Sequence, residues 1–321
     1  MKKKILPIEW ATLAYLLLTL IVLLLWREDM GADTVQRLLV ERIEVFLGLV
    51  ACYVLYRYRP SRATEFLRHL YPLILTAYWY PDTYEFCSLL PNQDPAFAAA
   101  DQWLCGCQPA LTFSEHYHDV ITSELMHLGY FAYYPLIFVA VLFPFFTNHR
   151  LFQRTAFTVL AAFLIYYVVY LFLPVTGPQY YFVAVGEETI RQGVFPEVGD
   201  WFRTHTELLP MDLPEGLFRT LVEMMHQAGE RPTAAFPSSH VGVSTVMMMC
   251  LWKNRPYRFM TWAMLPFYVL LCVSTVYIQA HYLVDALAGL ITGLILFFLC
   301  WYGYAWLTAR ATSQDDINTT L

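Results

Sequence analysis

Long apolar stretches almost without charge constrain the fold of this chain more than any other feature. A helix needs about 17–25 mostly apolar residues to cross a bilayer. Five stretches meet this requirement, at residues 10–26, 128–146, 156–174, 259–280 and 284–307. Residues 238–252 form a shorter apolar stretch, and 43–56 and 67–80 are weaker ones that suit either a span or the interface. The pattern predicts eight spans, with six as the alternative.

The composition excludes a soluble protein. Hydrophobic residues make up 58% of the 321 residues and charged residues only 14%, whereas a soluble domain is roughly 45–50% apolar and about 25% charged. So few charges cannot cover a soluble surface, and so many apolar side chains exclude a disordered chain. The predicted fold class is therefore all-α, a polytopic transmembrane helical bundle.

Positive charge is concentrated on one side of the predicted spans. With eight spans and the N-terminus inside, most Lys and Arg residues fall inside, including every lysine, and the long segment 175–237 on the other side is acidic. Positive residues are enriched in cytoplasmic loops. We therefore expect both termini in the cytoplasm, and the long segments 81–127 and 175–237 on the periplasmic, extracytoplasmic or lumenal side.

The second long segment carries the signal of an amphipathic helix. Asp212 with Glu215 resembles a capping box, and Pro214 suits a first helical turn. One apolar face then follows, made of Leu217, Phe218, Leu221, Val222, Met224 and Met225. The pattern predicts a helix that either lies on the outer membrane surface or packs on the spans.

Two short segments combine residue types that carry chemistry. Phe-Pro-Ser-Ser-His occupies 236–240, and Ala-His-Tyr-Leu-Val-Asp occupies 280–285. The first opens a span that runs from outside to inside, and the second joins the outer ends of the last two spans. The topology therefore predicts His240 and His281 at the same membrane depth, on the same side.

The residue types in these segments suit phosphoryl transfer. Ser238 or Ser239 can cap the new helix, whose free backbone N–H groups favour an anion such as phosphate. His281 and Asp285 share a helix face at spacing i,i+4, so the carboxylate can hold one ring nitrogen and leave the other as a nucleophile. His240 can act as the acid and base. We therefore predict a phosphohistidine intermediate.

Each segment alone also has an ordinary structural interpretation. A His–Asp pair at i,i+4 is more often a structural helix pair, and Pro-Ser-Ser-His is more often a plain helix cap. Their joint placement at one membrane face favours the catalytic interpretation, because ionisable residues near membrane depth are functional candidates.

The two segments resemble the signature of the phosphatidic acid phosphatase type 2 superfamily. Its pattern is Pro-Ser-x-His, followed later by Ser-Arg-x5-His-x3-Asp; here 237–240 match the first part and 274–285 the second. Thr275 replaces the family arginine, which binds phosphate, and the family's first motif, Lys-x6-Arg-Pro, has no match.

With those departures, the segment resembles the inositol phosphorylceramide synthase-like branch of phosphosphingolipid synthases. That branch also lacks the arginine and often reads His-Tyr-x-x-Asp, as residues 281–285 do. Further similar stretches are 174–181, 106–109, 123–125 and 133–134. The resemblance covers roughly residues 67–306.

The resemblance implies a division of the chain and roles for three residues. A six-helix catalytic core would occupy 67–310, preceded by about two membrane-anchoring helices in 1–66 and followed by a polar tail, 311–321. In that family the second histidine is the nucleophile, the first is the acid and base, and the aspartate orients the nucleophile. Carried over, these are His281, His240 and Asp285, with no metal and no cofactor.

The groups that would bind the phosphate charge are less determined. Arg231 lies nine residues before His240, and Arg191 is a second option. Gln179 and Tyr180 are candidates for neutral hydrogen bonds, beside Ser238 and Ser239. Each arginine, like Gln179 and Tyr180, is equally well a solvated loop residue.

These observations predict a membrane enzyme that transfers a phosphorylated headgroup or phosphoryl group between lipids. Its partners would be a phospholipid or lipid phosphate donor, a lipid alcohol or water as acceptor, and the membrane, without nucleic acid. A lipid phosphate phosphatase, which is a hydrolase on the same site, is the close alternative. A membrane transporter is a remote one, since no internal repeat is evident.

Two other motifs have weaker functional interpretations. His116 and His118 have metal-ligand chemistry, but in a polar loop they are more often solvated. A disulfide from Cys87 to Cys105 or Cys107 is one possibility if the outer side is oxidising.

Overall fold

The computed structural model describes residues 5–211 and 213–319, and it is built from helices. The first half contains α1 (Pro7–Trp26), α2 (Ala32–Tyr58), α3 (Arg62–Trp79), α4 (Asp82–Cys87), α5 (Asp94–Cys105), α6 (Pro109–His116), α7 (Val120–Phe131), α8 (Tyr133–Ile137), a π-helical segment (Phe138–Leu142) and α9 (Phe143–Thr147). The second half contains α10 (His149–Phe172), α11 (Pro178–Val185), α12 (Glu187–Arg191), α13 (Leu217–Gly229), α14 (Ser239–Lys253), α15 (Arg258–Tyr277) and α16 (Leu283–Thr319). The described residues form no strand, so the all-α prediction is confirmed.

Five helical segments of the described chain are long and apolar enough to cross a membrane. They are Pro7–Trp26, Val120–Thr147, His149–Phe172, Arg255–Tyr277 and Leu283–Ala309. They coincide with the five strong stretches, as expected for an integral membrane protein. Outside these five, α2 and α3 carry several charges and α14 has only 15 residues, and the counts of eight and six spans stay predictions.

α14 has 15 residues, most of them buried, and is enclosed by other helices. Its 15 residues span about 22 Å, and it packs among α10, α15 and α16. Glycines allow α16 to approach closely, since a Cβ on Gly289 would lie 2.5 Å from the Ser238 carbonyl oxygen, and one on Gly293 equally close to that of Gly242. Such small-residue contacts are typical of membrane helix pairs. They fix the first turn of α14 beside the first turn of α16.

Buried ion pairs join the N-terminal helices to one another. Arg68 of α3 donates to Glu9 of α1 through two hydrogen bonds of 2.6 and 2.5 Å, and both side chains are buried. Arg42 of α2 donates to Asp82 of α4 at 3.3 Å, also in a buried position. Because losing one partner of a buried ion pair is costly, these contacts hold α3 to α1 and α2 to α4.

The amphipathic helix α13 packs on α7. It begins at Leu217, so Pro214 lies before it rather than in its first turn. Asp212 of the expected capping box lies outside the described residues. The cap comes from α7 instead, because the Glu124 carboxylate accepts hydrogen bonds from the backbone N–H groups of Phe218 (2.9 Å) and Arg219 (3.0 Å). A side chain that arrives from a distant helix leaves no local pattern, which is why the capping prediction was wrong.

The cysteines that were disulfide candidates are free thiols in the structure. Cys87 is buried with its Sγ 3.1 Å from Thr233 Oγ1, whereas Cys105 is exposed at the end of α5. The disulfide prediction is therefore not supported, because Cys87 lies inside the bundle and Cys105 on the surface.

Candidate active site

His240 lies in the first turn of α14, at the edge of a small cavity. Ser238 is the N-cap of this helix, and its Oγ accepts a hydrogen bond from the Val241 N–H at 3.4 Å. The His240 ring packs against the rings of Tyr130 and Tyr133, with its centroid 4.8 Å from that of each tyrosine. Within the described residues its ring nitrogens have no hydrogen-bond partner, so they are available to a ligand.

His281 lies across the cavity, in the connection between α15 and α16. It is 4% exposed, and its Nδ1 lies 2.8 Å from the Ala235 carbonyl oxygen, to which a ring N–H donates. That bond leaves the lone pair on Nε2 of the neutral ring. The His240 and His281 ring centroids are 5.8 Å apart, a separation small enough for both rings to contact one phosphoryl group.

Asp285 is close to His281 but is not hydrogen-bonded to it. Its Oδ2 lies 3.7 Å from His281 Nδ1 and accepts a 2.9 Å hydrogen bond from the Tyr282 N–H. The position of Asp285 in the first turn of α16 directs the carboxylate back to the start of its own helix. The ring contact predicted for Asp285 is thus made by the Ala235 carbonyl.

Burial controls the protonation of His281. Desolvation lowers its pKa from about 6.5 to about 4, although the hydrogen bond to Ala235 opposes the shift. Between pH 6.5 and 4 the unfolded chain therefore binds a proton that the folded chain does not, so the folded state becomes less stable as the pH falls through that window.

When the pH is lowered from 7 to 5, we expect the free energy of unfolding of the wild type to fall by about 2 kcal/mol more than that of His281→Asn. Denaturant unfolding in detergent at both pH values measures this, and equal losses would contradict it.

The space between the two histidines, here called the histidine cavity, contains some of the predicted binding residues. Besides His240 and His281 it is lined mainly by Tyr80, Tyr130, Thr176, Gln179, Glu230, Thr233 and Ser239. The Gln179 side chain is buried without a described hydrogen-bond partner, so its amide can donate into the cavity. Ser239 faces the cavity, whereas Ser238 serves as the helix cap.

The other predicted phosphate-binding residues do not line the histidine cavity. Arg231 is exposed, and Arg191 pairs with Glu115 and Glu187 on the surface. The Tyr180 ring is buried, within electrostatic range of Glu230 and Arg231. Thr275, at the position of the family arginine, donates its hydroxyl to the Cys272 carbonyl at 2.9 Å. Among the lining residues, none is Lys or Arg.

Asp94, which the sequence analysis missed, joins three segments behind the histidines. Its buried carboxylate accepts five hydrogen bonds of 2.6–3.0 Å. The donors are the Asn92 side chain, the Thr176 N–H and hydroxyl, the Gly177 N–H and the Tyr282 hydroxyl. This carboxylate therefore holds α5, the turn before α11 and the residue after His281 in one arrangement.

Asp101, which follows Asp94 on the same face of α5, caps the N-terminus of α16. Its two carboxylate oxygens accept hydrogen bonds from the N–H groups of Leu283 (2.8 Å) and Val284 (3.0 Å). A carboxylate at a helix N-terminus is favourable, so Asp101 fixes the start of α16 directly after His281. The sequence does contain a signal for Asp94 and Asp101. They are seven positions apart in an alanine-rich helix, and that spacing places both on one face.

Gly177 is required where the turn before α11 meets the His281 connection. Its φ is +91°, and a Cβ there would lie 2.8 Å from the Ala280 carbonyl oxygen. A side chain at this position would meet both a strained backbone conformation and a backbone contact that cannot yield without moving His281. The Gly-Pro-Gln stretch noted in the sequence thus supports the position of the nucleophile candidate.

Comparison with known proteins identifies a family for this chain. A family model described as the PAP2 superfamily matches residues 97–299. The match covers more than half of the chain and includes His240, His281, Asp285 and α5 residue Asp101. No curated protein and no solved structure gives a significant match.

Proposed function

The chain belongs to the PAP2 superfamily, whose members are in general lipid phosphatases and phosphotransferases, and we propose that it transfers a phosphorylated headgroup between membrane lipids. The observation that carries this proposal is the pair of His240 and His281 rings facing each other across one cavity. The acceptor is a lipid alcohol, as in the phosphosphingolipid synthases that its motifs resemble.

The first step of the proposed reaction forms a phosphohistidine on His281. Its Nε2 lone pair attacks phosphorus, the N–P bond forms, and the bond from phosphorus to the alcohol oxygen of the donor lipid breaks. His240 gives a proton to that leaving oxygen, which departs as a lipid alcohol. The negative phosphate beside His240 favours the protonated ring required for this step.

The second step reverses the first with a new alcohol. His240, now neutral, takes the proton of the acceptor hydroxyl while the acceptor oxygen attacks phosphorus and the N–P bond breaks. The free N–H groups in the first turn of α14 and the Gln179 amide support the negative oxygens in both steps. Ser239 contributes its hydroxyl, while Ser238 acts only by capping the helix.

The residues outside the histidine cavity have supporting roles in this proposal. Residues 1–66 anchor the catalytic domain 67–310 in the membrane, and the tail 311–321 lies beyond it. The exposed Arg231 attracts the phosphate from outside, and the buried Tyr180 ring lies within electrostatic range of Arg231. Both termini lie in the cytoplasm, so the histidine cavity faces the extracytoplasmic or lumenal side.

A labelled phospholipid distinguishes transfer from hydrolysis. The purified chain in mixed micelles receives a donor with a labelled headgroup phosphate, with and without ceramide or diacylglycerol as acceptor. We expect a new labelled lipid only when the acceptor is present, at a rate that rises with its mole fraction. Water-soluble phosphate or phosphorylated headgroup released at the same rate with or without acceptor would identify a hydrolase instead.

A further inference from the structure

The His240 ring is oriented by two tyrosine rings instead of a hydrogen bond. Neither of its ring nitrogens has a hydrogen-bond partner among the described residues. The rings of Tyr130 and Tyr133 contact it, each with its centroid 4.8 Å from that of His240. Whatever fixes the direction of the imidazole before a ligand arrives is therefore ring packing.

The two tyrosines reach His240 because they are three positions apart in a helical region. Tyr130 lies in the last turn of α7 and Tyr133 begins α8, and side chains at i and i+3 share a helix face. Both are buried, with 3% and 8% of their surface exposed. His226 of α13 packs at 87° against the Tyr130 ring, with centroids 5.6 Å apart. Tyr130 is thus held by a second helix while it contacts His240.

The ring planes allow the tyrosine faces to act on the charge of His240. Tyr130 is tilted by 34° and Tyr133 by 53° from the plane of the imidazole, so neither ring is perpendicular to it. An aromatic face attracts a cation within about 6 Å of the ring centroid, and the attraction is stronger in a desolvated site. The first proposed step requires a protonated His240, and that ring lies within this distance of both tyrosines.

We propose that Tyr130 and Tyr133 are positioning residues for His240, which hold its ring at the cavity and stabilise its protonated form while the donor alcohol departs. This inference rests on the proposed function, because the imidazolium is the acid that gives its proton to the leaving oxygen. The tyrosines exchange no proton, and the bonds that form and break on phosphorus are unchanged. Glu230, which lines the same cavity, favours the same protonated state through its opposite charge, so the rings add to its effect.

The leaving group of the donor separates support of the acid from every other effect. When the diacylglycerol of the donor is replaced by an acylated nitrophenol, the phenolate leaves without a proton. Release of the leaving group is followed in a single turnover without acceptor, so that only the first step is measured. We expect Tyr130→Leu to slow this step about tenfold with the diacylglycerol donor and less than about twofold with the nitrophenol donor. An equal loss with both donors would show a purely structural role and overturn the inference.

Fluorinated phenylalanines at position 130 weaken the negative ring face while they keep its shape, so the variants should fold. Tyr130→Phe should keep the rate of the first step within about threefold, because the ring face remains. Phenylalanines with one, two and three ring fluorines should then slow the diacylglycerol donor progressively, to about tenfold, and leave the nitrophenol donor unchanged. Rates that do not depend on fluorination, or a Tyr130→Phe enzyme as slow as Tyr130→Leu, would contradict the role of the ring face.

Two further variants separate this inference from the proposed function. Tyr302→Leu is the matched control, since Tyr302 is exposed on α16, about 28 Å from the first turn of that helix, and its replacement should change neither donor. His240→Asn removes the acid itself and should slow only the diacylglycerol donor. An equal loss with both donors in His240→Asn would remove the proposed function. A leaving-group effect confined to His240→Asn would leave that function intact and overturn only the role of the tyrosines.

Discussion

Replacing His281 by asparagine is expected to lower kcat for headgroup transfer by roughly 10⁴-fold or more, because the proposed nucleophile is lost. The asparagine side-chain amide can still donate to the Ala235 carbonyl, which holds Nδ1 of the histidine at 2.8 Å, so the variant should fold. Transfer of label from donor to acceptor lipid in mixed micelles measures the loss.

His118→Asn is the matched control for this variant. His118 is exposed, and its Nδ1 lies 2.8 Å from the Glu115 carbonyl oxygen on the surface, so its replacement should leave kcat unchanged. A His281→Asn enzyme that retains more than about a hundredth of wild-type activity would show that another group attacks phosphorus.

Replacing Asp94 by asparagine is expected to have the second largest effect. Its carboxylate is fully buried and accepts five hydrogen bonds, three on Oδ2 and two on Oδ1. An asparagine amide would replace one of these oxygens by an NH₂ group, which would face the donors that this oxygen now accepts from. Leaving such donors unpaired should destabilise the protein by about 3 kcal/mol. Because Asp94 holds Thr176, Gly177 and Tyr282, we also expect kcat to fall with KM little changed, at a temperature where the variant remains folded.

Thermal unfolding in detergent and steady-state kinetics separate the two effects of Asp94→Asn. Asp29→Asn removes an exposed carboxylate in the turn after α1, and this control should alter neither. A variant with a lowered Tm but wild-type kcat at low temperature would assign Asp94 a purely structural role. Unchanged stability would contradict the hydrogen-bond network itself.

The approach of His240 and His281 is predictable from the sequence because each lies where an apolar stretch begins. Span ends on one side of a membrane share a depth, so two histidines at such ends come within reach of each other. The five strong spans follow for the same reason, since length and hydrophobicity are local properties of the chain.

The supporting contacts were not predictable because they join residues far apart in the chain. Glu124 caps α13 and Asp101 caps α16, each from a different helix, and neither leaves a motif at the capped end. The Ala235 carbonyl takes the His281 contact expected of Asp285, because backbone groups carry no residue type for a sequence to reveal.

The most direct measurement of the central claim is the covalent intermediate on His281. When wild-type enzyme is mixed with labelled donor in the absence of an acceptor lipid, the second step has no substrate, so enzyme quenched in alkali should carry label. Phosphoramidates are expected to survive alkali and to be lost in acid, and peptide mass spectrometry locates them. The proposed mechanism predicts an acid-labile phosphorylated headgroup on the peptide that contains His281, absent from His281→Asn. Label on another residue, or turnover in which no enzyme-bound phosphorus forms, would contradict it.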